Sequence, residues 1–397
     1  VYYKFSSLSS KVITRVALVL IMLPQFAHAQ EVRSLDEAME QLRVSGFGVQ
    51  RAELVLDKVK ASNSAQWTAP IQASMQRGEI NGDFQTDYWL QLEWMLPSLT
   101  AMPALYALQK SKVEDAENRG AYMKELERYS LRQQWNTLQM HEAILDQFKR
   151  KYAEALILLE RVEAQSKQGI LPQRDVLQWN VWTEELHHEL KKWLKATDQQ
   201  RAQLNSRVGW SGLDWTANEP TAVVPVPGLV DANSSLLLVL EDGTLAVMQH
   251  ALRLERSSWM PEFGVGTFSQ RLEGVAGFTG LTVSAQIPIA PNVYTGKVRE
   301  RQIAVSEAEI SYEQARREWT NHVQVLARDL TRWEKEDHHD EHAVPVNYWE
   351  VYQAGGLDLQ GLWESMSAYY DYKILMEEHF YSRQAVIEEW NFYNKTK

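Results

Sequence analysis

From Leu105 to Val162 the chain contains nothing that ends a helix: no proline, a single glycine at Gly120, and many Glu, Lys, Gln, Leu and Ala. Leu145, Phe148, Tyr152, Ala155, Leu159 and Val162 follow one another in steps of three and four, the seam of a left-handed coiled coil. The run stops at Gly169-Ile170-Leu171-Pro172, and proline suits the first turn of a new helix. Val176, Trp179, Thr183, Leu186, Leu190, Trp193 and Thr197 then resume the same spacing. The chain therefore goes out along one helix, turns and comes back antiparallel. Roughly 60 helical residues make an arm of about 90 Å. A sequence with this feature folds into an extended object.

Upstream of the arm the period changes to two. Tyr88, Leu90, Leu92, Trp94 and Leu96 alternate with Trp89, Gln91, Glu93 and Met95, and Ile71, Ala73 and Met75 alternate with Gln72, Ser74 and Gln76. Arg77-Gly78-Glu79-Ile80-Asn81-Gly82-Asp83 between them reads as a hairpin loop. Strands of this length, apolar on one face and polar on the other, have the dimensions of outer-membrane barrel strands. The same pattern also suits a half-buried sheet on an ordinary core.

The second half repeats the plan. Pro261 to Phe268 reads as a strand, Glu273 to Gly277 as a turn, and Phe278 to Ile289 as a second strand with Leu281, Val283, Ala285 and Ile287 on one face. A long helix over Asn292 to Trp333, a turn at Ala354-Gly355-Gly356-Leu357 and a return helix over Leu359 to Phe392 follow. Pro97 and Pro288 are 191 residues apart, and Gly169 and Gly356 are 187 apart, so the two halves keep register. The expected organisation is a signal peptide over 1–29, a first repeat over 30–212, a linker over 213–233 carrying Pro220, Pro225 and Pro227, and a second repeat over 234–397.

The signal peptide is read from Lys4, Lys11 and Arg15, the apolar run from Val16 to Pro24, and the Ala27-His28-Ala29 cleavage site. Its removal takes away three basic and no acidic residues, so the formal charge of −11 becomes −14. That balance argues against nucleic acid as a partner. The absence of cysteine excludes disulfide scaffolds, thiol nucleophiles and a cysteine-linked lipid. A mean hydropathy of −0.40 with one long apolar run excludes a polytopic helical membrane protein. The 15 Trp and 16 Tyr stand out against this acidic background.

Helix, β-hairpin, helical hairpin, linker and the same again resemble the TolC-like outer-membrane efflux family over residues 34–392. Ser34-Leu35-Asp36-Glu37-Ala38 is similar to the family's opening Leu-x-Glu-Ala helix start. Gly169 to Gln178 is similar to its Gly-x-x-x-x-x-Asp-Val-Leu-Gln turn, and Leu281 to Ile289 to its Leu-Ser-Leu-Pro strand end. The resemblance implies an α+β membrane protein: a homotrimer whose protomers each give four strands to a twelve-stranded β-barrel, continued by a periplasmic α-barrel. It implies an outer-membrane location and docking to an adaptor (membrane fusion) protein and an inner-membrane pump. Size and the lack of a lipidation Cys are closest to the heavy-metal efflux, CzcC-like branch. Physics points the same way, because two hairpins leave open edges that lipid cannot satisfy, and closed oligomers are the usual remedy.

The resemblance places adaptor docking at the hairpin tips, Gly169, Ile170, Leu171, Gly355, Gly356 and Leu357; a plain connecting turn is the alternative. It places a periplasmic gate near the second tip, where Leu362 and Ser365 stand near the family's aspartates and Asp358 and Glu364 lie close by. Asp337-His338-His339-Asp340-Glu341-His342 is the densest run of metal-capable side chains, with His338 and His342 one helical turn apart and His339 beside them. A solvated stretch ahead of Pro345 is the other reading. Trp67, Trp89, Trp94 and Trp259 are candidates for an interfacial aromatic girdle, with core packing as the alternative. No phosphate loop, catalytic triad or paired-carboxylate pocket is evident, so neither an enzyme nor a cofactor is expected. The expected function is a passive efflux duct, for divalent heavy-metal cations or for drugs and small organic solutes. A periplasmic adaptor or a metal-binding coiled-coil protein are alternatives of a different class.

Overall fold

The computed structural model describes residues 34–66, 71–79, 86–96, 101–209, 235–257, 262–271, 277–286, 291–336 and 348–395. The expected signal peptide and linker, Pro97, Pro288, Trp67, Trp259 and the run from Asp337 to His342 lie outside them. The elements are α1 (Leu35–Ser45), α2 (Phe47–Gln66), β1 (Ile71–Glu79), β2 (Thr86–Leu96), α3 (Ala101–Lys167) and α4 (Gln173–Val208). After them come α5 (Leu236–Ser257), β3 (Glu262–Arg271), β4 (Phe278–Gln286), α6 (Pro291–Glu336), α7 (Tyr348–Gln353) and α8 (Leu359–Tyr393). Two compact units form, one drawn from within 1–41, 134–222 and 346–381, the other from within 42–133, 223–345 and 382–397.

The first unit is helical. Its opening helix α1 begins with a capping box in which Ser34 Oγ accepts the Glu37 N–H at 3.3 Å and Glu37 Oε2 accepts the Ser34 N–H at 3.4 Å. The second half of α3, which is 67 residues long in all, pairs with α4. Of the expected seam, Leu145, Phe148, Ala155 and Val162 are buried and Tyr152 and Leu159 half-buried, facing Trp179 and Leu186. Thr183 and Thr197 sit in the same seam, their hydroxyls each donating at 2.9 Å to a carbonyl one turn earlier, those of Trp179 and Trp193. The shared core also takes in Tyr348 of α7 and Leu362, Met366 and Tyr370 of α8, so the second hairpin packs on the first.

The second unit holds the sheet. All four strands are antiparallel neighbours in the order β1-β2-β3-β4, so the two hairpins of the chain join through β2 and β3. The loop of the first hairpin is shorter than the sequence suggests. Gly78 pairs with Asp87 and Glu79 with Thr86, because the ladder continues past the Arg77-Gly78 pair that reads as a turn. The second outgoing arm is the helix expected over Asn292 to Trp333. α6 spans Pro291–Glu336, and the six-residue α7 spans Tyr348–Gln353. A separate core of Leu238, Trp319, Val323, Leu326 and Trp390 packs α5, α6 and the end of α8 together. Among the described residues no helix is long and apolar enough to cross a membrane.

Candidate functional site

Two places in the fold present chemistry to the outside: the helical turns of the first unit and the faces of the sheet in the second. The two turns are copies of one motif. At the end of α3 the Ile170 N–H donates to Gln165 O at 3.0 Å and the Gly169 N–H to Ser166 O at 2.9 Å, with Gly169 at φ +75°. After α7 the Gly356 N–H donates to Val351 O at 2.9 Å and the Gly355 N–H to Tyr352 O at 3.0 Å, with Gly355 at φ +76°. Both are Schellman caps. The glycine equivalent to Gly169 is therefore Gly355, one position before the Gly356 used as the sequence marker. The glycines have a conformational reason to be there, since the left-handed region costs other residues about 1–2 kcal/mol.

The residues of the two tips divide by exposure. Leu171 and Leu357 are half-buried against the helical core, which anchors each turn. Ile170 is 63% exposed and the equivalent position in the second turn is Gly356. The return helices start differently too. Pro172 opens α4 without a side-chain cap, whereas Asp358 Oδ1 accepts the Gly361 N–H at 2.7 Å and caps α8. Of the gate candidates, Asp358 thus already serves a helix end, while Glu364 is exposed and accepts from Gln360 Nε2 at 2.7 Å. Leu362 is fully buried in the helical core. Because no atom lies within 4 Å of a Cβ added at Gly169, the change Gly169→Ala is expected to cost backbone strain alone, about 1 kcal/mol. Faster amide exchange confined to residues 165–171 is the measurement that checks it.

Behind the tips, sequence reading missed a set of contacts between hairpins. Trp363 of α8 stands edge-on to Trp179 and stacked on Trp182, each with ring centroids 5.2 Å apart. Tyr370 donates to Glu154 at 2.6 Å, and the buried Lys151 pairs with Asp371 at 2.9 Å. Burial, then the hydrogen bond to Glu154, raises the Tyr370 phenol above its ordinary value. Burial, followed by Glu377 and Glu142, pushes Tyr381 up to about 12. A raised phenol pKa means that the fold favours the neutral form. That contribution is present below the unfolded value of about 10 and is lost as pH climbs through the folded one. Thermal stability is expected to hold level to about pH 10 and fall between there and pH 12. Tyr381→Phe should shrink the fall; an unchanged profile in that variant counts against the assignment. The neighbouring histidines of α4 part company, with His187 stacked on Tyr152 at 5.1 Å and His188 exposed.

The sheet has two unlike faces. Leu90, Leu92, Trp94, Phe263, Val265, Leu281 and Val283 share one of them and all are exposed, Leu281 and Val283 to 79%. Gln91, Glu93, Gly264, Gly266, Thr282 and Ser284 share the other. Trp94, at 52% exposure, is the one girdle candidate whose side chain is described; the backbone of Trp89 lies in β2. The strands β1 and β4 are the outer members of the sheet. Among the described residues no cluster of His, Asp and Glu has the makings of a metal site.

No protein-family model matches the chain, and no curated protein matches it in sequence. Solved structures do. CusC, studied for the changes that accompany folding and transmembrane channel formation, shares 13% identity at a TM-score of 0.75 over 91% of this chain and 92% of its own. The CmeC outer-membrane channel of Campylobacter jejuni shares 11% at 0.75, over 91% and 86%. The outer-membrane protein VceC of Vibrio cholerae shares 13% at 0.70, over 91% and 96%. The likeness runs along 91% of this chain in each case, and the chain has the fold of the TolC-like outer-membrane channels.

Proposed function

We propose that the chain is the outer-membrane duct of a Gram-negative efflux system, a passive conduit and not an enzyme. The observation that carries the reading is the exposed apolar face of a four-stranded sheet whose two outer strands await partners. Neither feature suits a soluble monomer, since open edges and apolar faces of this size associate. Three copies closing edge to edge would pair every strand, turn the Leu92–Val265 face to lipid and make a twelve-stranded barrel. The exposed turns at Ile170 and Gly356 would then meet an adaptor protein that links the duct to an inner-membrane pump. We read the chain as a signal peptide over 1–29 and two repeats, 30–212 and 234–397, joined by the linker 213–233.

The preferred cargo is divalent heavy-metal cations. The formal charge of −11 becomes −14 once residues 1–29 with their three basic residues are removed. That charge would favour cations where it faces the lumen, and His338, His339 and His342 amid carboxylates would suit transient handling of such ions. Drugs and small organic solutes are the other cargo class. Fractionation tests the main reading: the protein is expected in the outer membrane, as a trimer after mild detergent extraction. A soluble, monomeric periplasmic protein would sink it. A deletion strain challenged with zinc, cobalt, nickel, copper and a drug panel separates the cargo classes, and lost drug tolerance with intact metal tolerance overturns the metal preference.

A further inference from the structure

We propose that Glu93 sets the charge selectivity of the duct at the level of its strands. This rests on the barrel reading above, in which the face carrying Leu92, Val265 and Val283 meets lipid. The opposite face, with Gln91, Glu93, Gly266, Thr282 and Ser284, then lines the interior, because side chains alternate along a strand. Among the strand side chains the structure describes, Glu93 is the only charged one. The other charged residues of the strands, Arg77, Glu79, Asp87, Glu262 and Arg271, stand within two positions of a strand end. Glu93 lies deepest of them, three positions from the nearer end of β2.

Among the described residues its carboxyl group is held by uncharged donors. Ser284 Oγ and Gln91 Nε2 both donate to it, the latter at 3.1 Å, and both donors are uncharged. Among the described residues its hydrogen-bond partners are Gln91 and Ser284, and no basic side chain is among them. On the neighbouring strand β3, Gly264 and Gly266 supply a floor without side chains. A Cβ at Gly264 would run into the Glu93 carboxylate, and one at Gly266 would lie 2.9 Å from both Glu93 Cα and Thr282 Oγ1. Gly266 pairs directly with Glu93, and Thr282 pairs with Gly266 on its other side. That Thr282 hydroxyl is itself buried and without a hydrogen-bond partner in the structure, so an uncommitted oxygen lies one strand beyond the glycine floor.

A threefold barrel repeats this carboxylate three times at one height. Fixed negative charge in a water-filled passage with low-dielectric walls concentrates cations and depletes anions. At about 0.1 M salt its influence reaches roughly 10 Å, the Debye length. Glu93 thus acts as the charge filter of the membrane segment, apart from whatever closes the tips.

The test uses the purified full-length protein in planar bilayers under a KCl gradient. The wild type is expected to prefer cations, Glu93→Gln to lose that preference several-fold while still accepting from Ser284, and Glu93→Lys to invert it. Since the chain has no cysteine, Glu93→Cys and Leu92→Cys each carry a unique thiol. A charged, water-soluble thiol reagent should label the first and spare the second in vesicles. The opposite labelling pattern, or a wild type that inserts and passes no ions, overturns the barrel reading itself. The expected labelling combined with the same permeability ratio in wild type and Glu93→Gln overturns the filter alone. So does a Glu93→Gln variant that loses thermal stability and keeps its selectivity, for that marks a purely structural hydrogen bond.

Discussion

Trp179→Ala is expected to lower stability by about 3–5 kcal/mol, the range for emptying a large aromatic site in a packed core. Trp179 is fully buried and its Nε1 donates to Ala155 O at 3.1 Å, so it ties α4 to α3 as well as filling the seam. Its ring also meets Trp182 at 6.0 Å and Trp363 at 5.2 Å, which makes it the residue where both helical hairpins of the first unit converge. The loss is therefore expected to loosen the tips of both hairpins. Limited proteolysis should show new cuts near residues 165–175 and 350–360, and the melting temperature should fall. Trp179→Phe keeps most of the volume and drops the donor, so it should fall between the two. Wild-type melting in the alanine variant would show that the aromatic cluster contributes little.

The second large effect concerns the sheet. Val283 is exposed on the apolar face, in register with Val265 and, beyond it, Trp94. An arginine on the lipid side of a barrel costs about 2–4 kcal/mol at mid-membrane, and three copies bring that to roughly 6–12 kcal/mol per trimer. Val283→Arg is expected to leave the outer membrane empty of the protein. Gln91→Arg carries the same charge on the other face, beside Glu93, and is expected to insert normally. Immunoblots of separated membranes read both results. Equal insertion of the two variants would mean that the face carrying Val283 does not contact lipid.

Much of the architecture was legible because its signals are local. The steps of three and four from Leu145 to Val162 and from Trp179 to Thr197 are a property of neighbouring residues, and burial follows them closely. The alternation from Leu90 to Trp94 likewise marks the exposed apolar face of β2. What escaped depends on register. Two adjacent glycines at 355 and 356 look alike in a sequence, and only the bond from Gly356 N–H to Val351 O shows which of them adopts the left-handed conformation. Trp363 reads as one more helical aromatic until the antiparallel packing of α8 brings it to Trp179 and Trp182. Glu93 is one polar letter in an alternating strand. It becomes distinctive when pairing sets it against Gly266 and brings Ser284 from the other end of the sheet.

The strand order has a genetic consequence. With β1 and β4 as the outer members, each copy in a closed ring relies on the edge of a neighbour and lends one in return. A lesion in either edge strand therefore harms rings, not only the chain that carries it. In the threefold ring proposed above, a cell that makes intact and edge-damaged chains in equal amounts is expected to keep about one ring in eight free of damage. Edge-strand alleles should behave as dominant, while lesions confined to the tips should dilute gradually with gene dosage.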